Sequence, residues 1–337
     1  MKKITRRTLL AGGAAATMLQ WLGVRPAQAA EFVLKYGNDN PASHPMNLRL
    51  QEAAARIATE SHGRVDLQIF ANSSLGGDSE MLGQLRMGAL QMMTLSGNVL
   101  STLVPQASIT GMAFSFRDYD AIWKAVDGEL GTMIRGAIAK VGLVTMEKCW
   151  DNGFRQITSS GRAIHTPDDL KGFKIRIPVS PVWTSTFRTL GAVPISLNAS
   201  EMYSALQTKI ADGEENSLTI VDTYKLYEVQ KYCSLTNHMW EGYWMLANAD
   251  SWNRLPVDLQ AIVAKHLNAA ALAERADVAQ RNAMLQKQLE AKGLVFNTVD
   301  QTAFKAKLES AGYYREWATK FGNPAWAVFE KAVGGLT

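Results

Sequence analysis

Residues 170–222 constrain the fold of this chain most, because strand, helix and turn signals follow one another there without a gap. Phe173, Ile175 and Ile177 alternate with Lys174 and Arg176 until Pro178, which has no N–H to give to a ladder. That alternation predicts a short buried strand. Asn198 with Glu201 three residues later is a capping-box pattern, opening a helix with Met202, Leu206 and Ile210 on one face. Asp212-Gly213 then turns the chain, and Asn216 precedes a further apolar run, Leu218 to Val221. The same alternation fills the first half: strand 32–37, helix 46–61, strand 65–70, helix 78–88, run 89–96, helices through 117–140 and strand 141–149. This β-loop-α-β order predicts parallel sheets flanked by helices, an α/β class of fold. Asp151-Asn152-Gly153 interrupts the pattern, a place for a first domain to end.

The longest helical run starts at Pro256 and reaches Lys292, where Gly293 stops it. Such a rod of roughly 54 Å is several times the gyration radius of about 13 Å expected of a 100-residue domain, so it should run along two lobes. Two helices kinked near residues 268–271 remain the alternative.

Residues 1–29 read as an export signal: Lys2, Lys3, Arg6 and Arg7 precede an apolar or small stretch from Leu9 to Val24, and Ala27-Gln28-Ala29 is a small-x-small cleavage pattern. Thr5-Arg6-Arg7-Thr8-Leu9-Leu10 favours the twin-arginine route over an ordinary secretory signal. The remaining 308 residues exceed a usual single core and suggest two domains. The signal also carries the basic excess. Setting aside its five basic residues brings 35 to 30, against 31 acidic ones, and nucleic-acid binding loses its support. Cys149 and Cys233 are too few for a disulfide framework; two buried free thiols are favoured over one bridge.

Enzyme signatures are missing. The chain holds no G-x-S-x-G, H-E-x-x-H, P-loop or G-x-G-x-x-G, and its five histidines are scattered without metal-ligand spacing. No catalytic role, cofactor or metal is expected. Arg176, from the residues alone, is most simply a surface arginine. Yet a guanidinium at the end of a parallel strand points into the crevice where α/β ligands bind, and its planar fork suits a carboxylate. Trp150, Trp183, Trp240, Tyr243 and Trp244 cluster around the presumed chain crossings and cleft, at least half of them as ordinary packing. Asp78 is read first as a helix cap.

The block resembles the periplasmic solute-binding subunits of TRAP transporters, tripartite ATP-independent uptake systems for organic acids. Lys171 to Pro178 (KGFKIRIP) and Ala205 to Asn216 (ALQTKIADGEEN) match two motifs of that family. The match continues through Tyr227 to Lys231 and Leu235 to His238, and covers Leu34 to about Ala318. The resemblance implies a periplasmic-binding-protein fold: two α/β lobes with mixed sheets, crossing hinge strands and a long helix spanning both. It implies lobe 1 from residues 30–152 and 240–280, and lobe 2 from 153–239 and 281–337. It places Arg176 on the family's ligand-carboxylate arginine, Asn216 on its pocket asparagine and Arg155 on a further arginine that reaches ligand. First-lobe contacts are expected from Tyr36, Asn38 and His44 on the loop after the first strand and from Ser96 and Asn98 after a later one. Trp240 and Tyr243 complete the expected wall, and Ala199 leaves space where some relatives stack an aromatic. The implied function is capture of a small organic acid in the periplasm by a monomer and its delivery to membrane permease subunits. A sensor subunit, or less readily a secreted enzyme acting on a small acid, is the alternative.

Overall fold

A computed structural model describes residues 29–336. The stretch read as an export signal lies outside them, apart from Ala29. The strands run β1 Phe32–Gly37, β2 Val65–Phe70, β3 Met92–Ser96, β4 Leu143–Thr145, β5 Trp150–Phe154, β6 Gln156–Ser159, β7 Lys174–Ile177, β8 Val193–Ser196, β9 Gly213–Asn216, β10 Tyr232–Leu235, β11 Trp240–Asn248 and β12 Val295–Thr298. The first-half helices are α1 Pro45–Glu60, α2 Asp78–Arg86, α3 Gly97–Leu100, α4 Tyr119–Val126 and α5 Glu129–Ala139. They are followed by α6 Pro181–Thr189, α7 Ala199–Gln207, α8 Leu218–Thr223, α9 Ala249–Asn253 and α10 Val257–Ala291. The chain closes with α11 Gln301–Ser310, α12 Tyr313–Phe321 and α13 Asn323–Val333.

Two mixed six-stranded sheets result. The first has the order β2-β1-β3-β11-β4, with β5 also on β11; the second has the order β12-β10-β6-β9-β7-β8. β1 is parallel to β2 and β3, while the long β11 runs antiparallel to its neighbours. In the second sheet β7 is parallel to β8 and β9, and β6 is antiparallel to β9 and β10. The chain passes between sheets three times, twice by short strand-to-strand crossings and once along α10, from β11 to β12. Arg155 alone separates β5 of the first sheet from β6 of the second, and residues 236–239 lead back from β10 to β11. Both short crossings are largely buried: Arg155, Thr236, His238 and Met239 are each at most 2% exposed, with Asn237 the exposed residue of the second.

Helix α10 is continuous over 35 residues, about 52 Å at the usual rise. It packs on α1 and β5 of the first sheet and on α8 and β12 near the second. Leu259, Val263, Leu267 and Ala271 join Leu34, Tyr36, Met46 and Leu50 in one core, and Leu289 enters another with Met202, Leu206 and Val221. Between those apolar stretches its buried residues include two charged ones, Glu274 and Arg275. Glu274 accepts the Asp151 amide at 3.0 Å, and Arg275 donates to the Cys149 carbonyl at 2.8 Å and to Asp127 at 2.7 and 3.0 Å. The helix is thus pinned by backbone contacts where the chain first crosses.

Several expectations shift. Asp151-Asn152-Gly153 lies inside β5, with Gly153 at φ 113° beside the register shift in its pairing with β11. The strand expected over 141–149 shortens to β4. Helix α7 ends at Gln207, so Ile210 falls outside it and is 55% exposed, while Ala205 takes its buried place. The run after Asn216 is helical, and the strand is the polar stretch before it. Helix α13, assigned by sequence to the second lobe, packs on α4 and α5, with Phe329 edge-on to Phe116. Both cysteines, by contrast, are buried and free, as favoured from sequence.

Gly213 sits in register between Ile175 of β7 and Ser159 of β6. A Cβ there would meet the Thr158 carbonyl oxygen at 2.0 Å and the Phe173 ring at 2.6 Å. Neither strand can retreat without breaking the ladder. Gly213→Ala should therefore destabilise the protein by about 1–3 kcal/mol or more, read as a lowered Tm in thermal denaturation.

Candidate functional site

The two sheets present strand ends to one another across a cavity with about 350 Å³ of unfilled space, part of it open to solvent. Each wall is built by local signals in the sequence. On the first-sheet side, the chain leaving β1 supplies Asp39 and Asn40, the start of α2 supplies Asp78, the end of β3 supplies Ser96, and β11 supplies Glu241 and Tyr243. On the second-sheet side, β7 supplies Arg176, α7 supplies Ala199 and Met202, β9 ends on Asn216, and Tyr224 follows α8. Asn152 and Arg155 line the floor at the crossing. This is the crevice beyond the carboxyl ends of parallel strands, the usual ligand position in open α/β sheets.

The two arginines differ sharply. Arg155 is 1% exposed and fully engaged: Nε donates to Glu215 Oε2 at 2.6 Å, Nη2 to Glu215 Oε1 at 2.9 Å and to its carbonyl at 2.6 Å, and Nη1 to Glu241 Oε2. Its guanidinium also lies 4.4 Å from the ring centroid of Trp183. Glu215 receives His238 Nε2 at 3.1 Å besides, and Glu241 receives Ser96 Oγ and Asn152 Nδ2. Glu215 stays below the usual carboxylate range, because Arg155 and His238 outweigh the effect of burial. Burial holds His238 below its ordinary value.

Arg176 is equally buried, at 1% exposure, and among the described residues no carboxylate pairs with it. Nη2 donates to the Leu197 carbonyl at 2.7 Å and Nη1 meets the Met202 sulfur at 3.3 Å, while Nε has no partner. Burial pulls its pKa down; Glu214 and Glu215 oppose that from a distance. Glu214 lies beside Arg176 in strand register, accepting from Thr158 Oγ1 at 3.2 Å and Asn216 Nδ2 at 3.2 Å. Burial, with the nearby Glu215, pushes its pKa up to about 7. A desolvated cation without a counterion is expensive to keep, and an anion entering the cavity would relieve that cost.

Of the residues singled out from sequence, the cavity wall contains Arg176, Asn216, Arg155, Ser96, Tyr243 and Ala199. Tyr36, Asn38, His44, Asn98 and Trp240 stand behind it, each held by other structure. Tyr36 bonds to Thr94, and Asn38 exchanges amide bonds with Asn47 at 2.7 and 3.3 Å. His44 caps α1 through Nδ1, Asn98 reaches Glu241 from behind at 3.4 Å, and Trp240 donates to Asp151 Oδ1 at 2.9 Å. Asp78 departs from the capping role read for it: Gly77 occupies the cap position and Glu80 accepts its amide at 2.6 Å, which leaves the Asp78 carboxyl in the wall. Sequence reasoning missed Asp39, Asn40 and Glu241. Asp39 and Asn40 belong to the polar NDNPASHP loop, whose place after β1 was the available signal.

The family model of bacterial extracellular solute-binding proteins, family 7, matches residues 36–320. The chain is 34% identical over 277 residues to the C4-dicarboxylate-binding periplasmic protein DctP of Rhodobacter capsulatus, covering 82% of this chain and 81% of that one. It is 35% identical over 264 residues to an uncharacterized protein of Sinorhizobium fredii, covering 78% of this chain but 48% of the other, so it spans about half the length of that relative. Its fold superimposes with a TM-score of 0.84 on a TRAP periplasmic solute-binding protein of Sulfurospirillum deleyianum with bound succinate, at 29% identity over 90% of this chain and 98% of that one.

Two outcomes follow from the contrast between the arginines. Arg155→Ala uncovers Glu215 and Glu241 and should cost about 3–5 kcal/mol of stability, whereas Arg176→Met should leave ligand-free stability unchanged or raise it, both by chemical denaturation. Glu214 keeps its proton in the folded state across a window, about pH 5 to 7, in which the unfolded chain releases it. Its contribution to stability therefore falls as pH rises through that window, and Glu214→Gln should flatten the fall in Tm between pH 5 and 7.

Proposed function

The chain belongs to family 7 of the bacterial extracellular solute-binding proteins, and from that premise we propose that it captures a small organic acid outside the cytoplasmic membrane and delivers it to the membrane subunits of a TRAP transporter. The observation that carries the acid is Arg176, a buried guanidinium on the cavity wall with its Nε unpartnered. A carboxylate there would take the fork of the guanidinium, with the amide of Asn216 beside it. The relatives support the same class of ligand: one is a C4-dicarboxylate-binding protein and the solved structure holds succinate.

Export by the twin-arginine route fits the pattern at Thr5 to Leu10. The two lobes are read as residues 30–152 with 240–280 and residues 153–239 with 281–322, hinged at the two short crossings, while α13 lies against α4 and α5 of the first. Contacts between the walls indicate what closure would gain. Tyr224 Oη donates to the Asp39 carbonyl at 2.8 Å, Ser217 Oγ to Asn152 Oδ1 at 3.0 Å, and Ser79 Oγ to Asn198 Oδ1 at 3.3 Å. A ligand shifts the population toward the closed form to the extent that it adds contacts made only there.

Arg176→Ala should weaken binding of the acid by about 2–5 kcal/mol, roughly 30- to 5,000-fold in Kd, by titration calorimetry. Unchanged affinity in that variant would overturn the assignment of the carboxylate site.

A further inference from the structure

We propose that the cleft selects a monocarboxylate carrying hydrogen-bond donors, hydroxyl or ammonium, at the end away from Arg176, and that it disfavours a second carboxylate. This rests on the acid-binding reading above and narrows its ligand. The cavity walls are complementary in kind. The second-sheet wall offers an unpartnered buried donor, Arg176 Nε; the first-sheet wall offers an unpartnered buried acceptor, Asn40 Oδ1, on a residue 1% exposed. The same wall carries two carboxyl groups, Asp39 and Asp78, which have only acceptor character when ionised.

Charge points the same way. The charged residues on the wall are Asp39, Asp78, Arg155, Arg176 and Glu241, and it contains neither lysine nor histidine. Arg155 is consumed by Glu215 and Glu241, so Arg176 is the one cation of the wall free to meet an anion. A dicarboxylate anchored on Arg176 would bring its second charge to Asp39 and Asp78, with no cation to receive it. Burial raises Asp78 well above its ordinary value, and Asp39 adds to that, with Arg176 opposing. Burial also raises Asp39, while hydrogen bonds, Asp78 and Arg176 pull it back. Burial thus favours the neutral form of Asp78 beside Asp39, and both carboxyl groups keep acceptor oxygens on this wall. A hydroxyl or ammonium group supplies donors; a carboxylate adds repulsion.

Four-carbon acids that share the anchoring carboxylate and differ in the rest of the chain test this directly: succinate, butyrate, 4-hydroxybutyrate, 4-aminobutyrate and D-erythronate, titrated calorimetrically into the purified mature protein. Donor-bearing acids should bind at least about tenfold tighter than succinate and butyrate. Whether hydroxyl or ammonium leads identifies which donor the site takes. Asp39→Asn should shrink that ratio by weakening the donor-bearing acids more than succinate. Succinate binding tightest, or all five within a factor of about two, overturns the donor-end assignment while leaving the Arg176 site intact. Binding of none of the five overturns the acid-binding reading itself.

Discussion

The arrangement of both lobes depends on one buried ionic knot, Arg155 between Glu215 and Glu241. Glu241 belongs to β11 of the first sheet, Glu215 to β9 of the second, and Arg155 is the single residue between β5 and β6. All three are at most 2% exposed, so the desolvation cost is high and has to be met by near-complete hydrogen bonding. It is met here: the carboxylates also receive His238, Ser96 and Asn152, and the guanidinium lies on Trp183. The knot therefore fixes where one sheet ends and the other begins. It also removes one of the two arginines near the cavity from direct competition for an anion.

That division of labour explains why two similarly buried arginines behave differently. Strand β9 alternates its side chains, so Glu215 faces Arg155 while Glu214 and Asn216 share the face of Arg176. Glu214 is the nearest acid in register to Arg176, yet burial favours its neutral form and Thr158 and Asn216 occupy its oxygens. Arg176 is thus left with a carbonyl, a thioether and an open Nε. A protein selected for stability alone would not retain such a group; retention makes sense when the missing partner arrives from outside.

Legibility from sequence followed the physics of each element. Strands β1 and β2 and the start of α7 could be read because their signals are local: alternation, and the Asn198 to Glu201 capping box, which the structure contains with the Asn198 amide on Glu201 at 3.1 Å. The span of α10 was readable from Pro256 and Gly293. Strand β9 was legible only at its polar end, Asn216, after the capped helix; its buried course was not, because Gly-Glu-Glu-Asn is buried at every position and made of residues that ordinarily mark a turn. Only the distant partners Arg155, Thr158 and His238 make that burial tolerable, and no window of sequence contains them together. The same limit hid Glu241 in an aromatic strand, and it made Tyr36, Asn38 and His44 look available when each is held by a neighbour behind the wall.

The sequence was most instructive about Arg176, and least so about what surrounds it. Lys174 and Arg176 have the same parity in β7, which suggests one exposed face, yet Lys174 is exposed and Arg176 is buried. The difference lies along the strand rather than across it: α7 and the Leu197 carbonyl cover the carboxyl end, where the opposing lobe also closes. A position that is surface in an isolated sheet becomes interior once a second lobe faces it. On the proposed reading, the ligand's chemistry beyond its carboxylate would then be set by the lobe that does the covering, through Asp39, Asn40 and Asp78, rather than by the strand that carries the arginine.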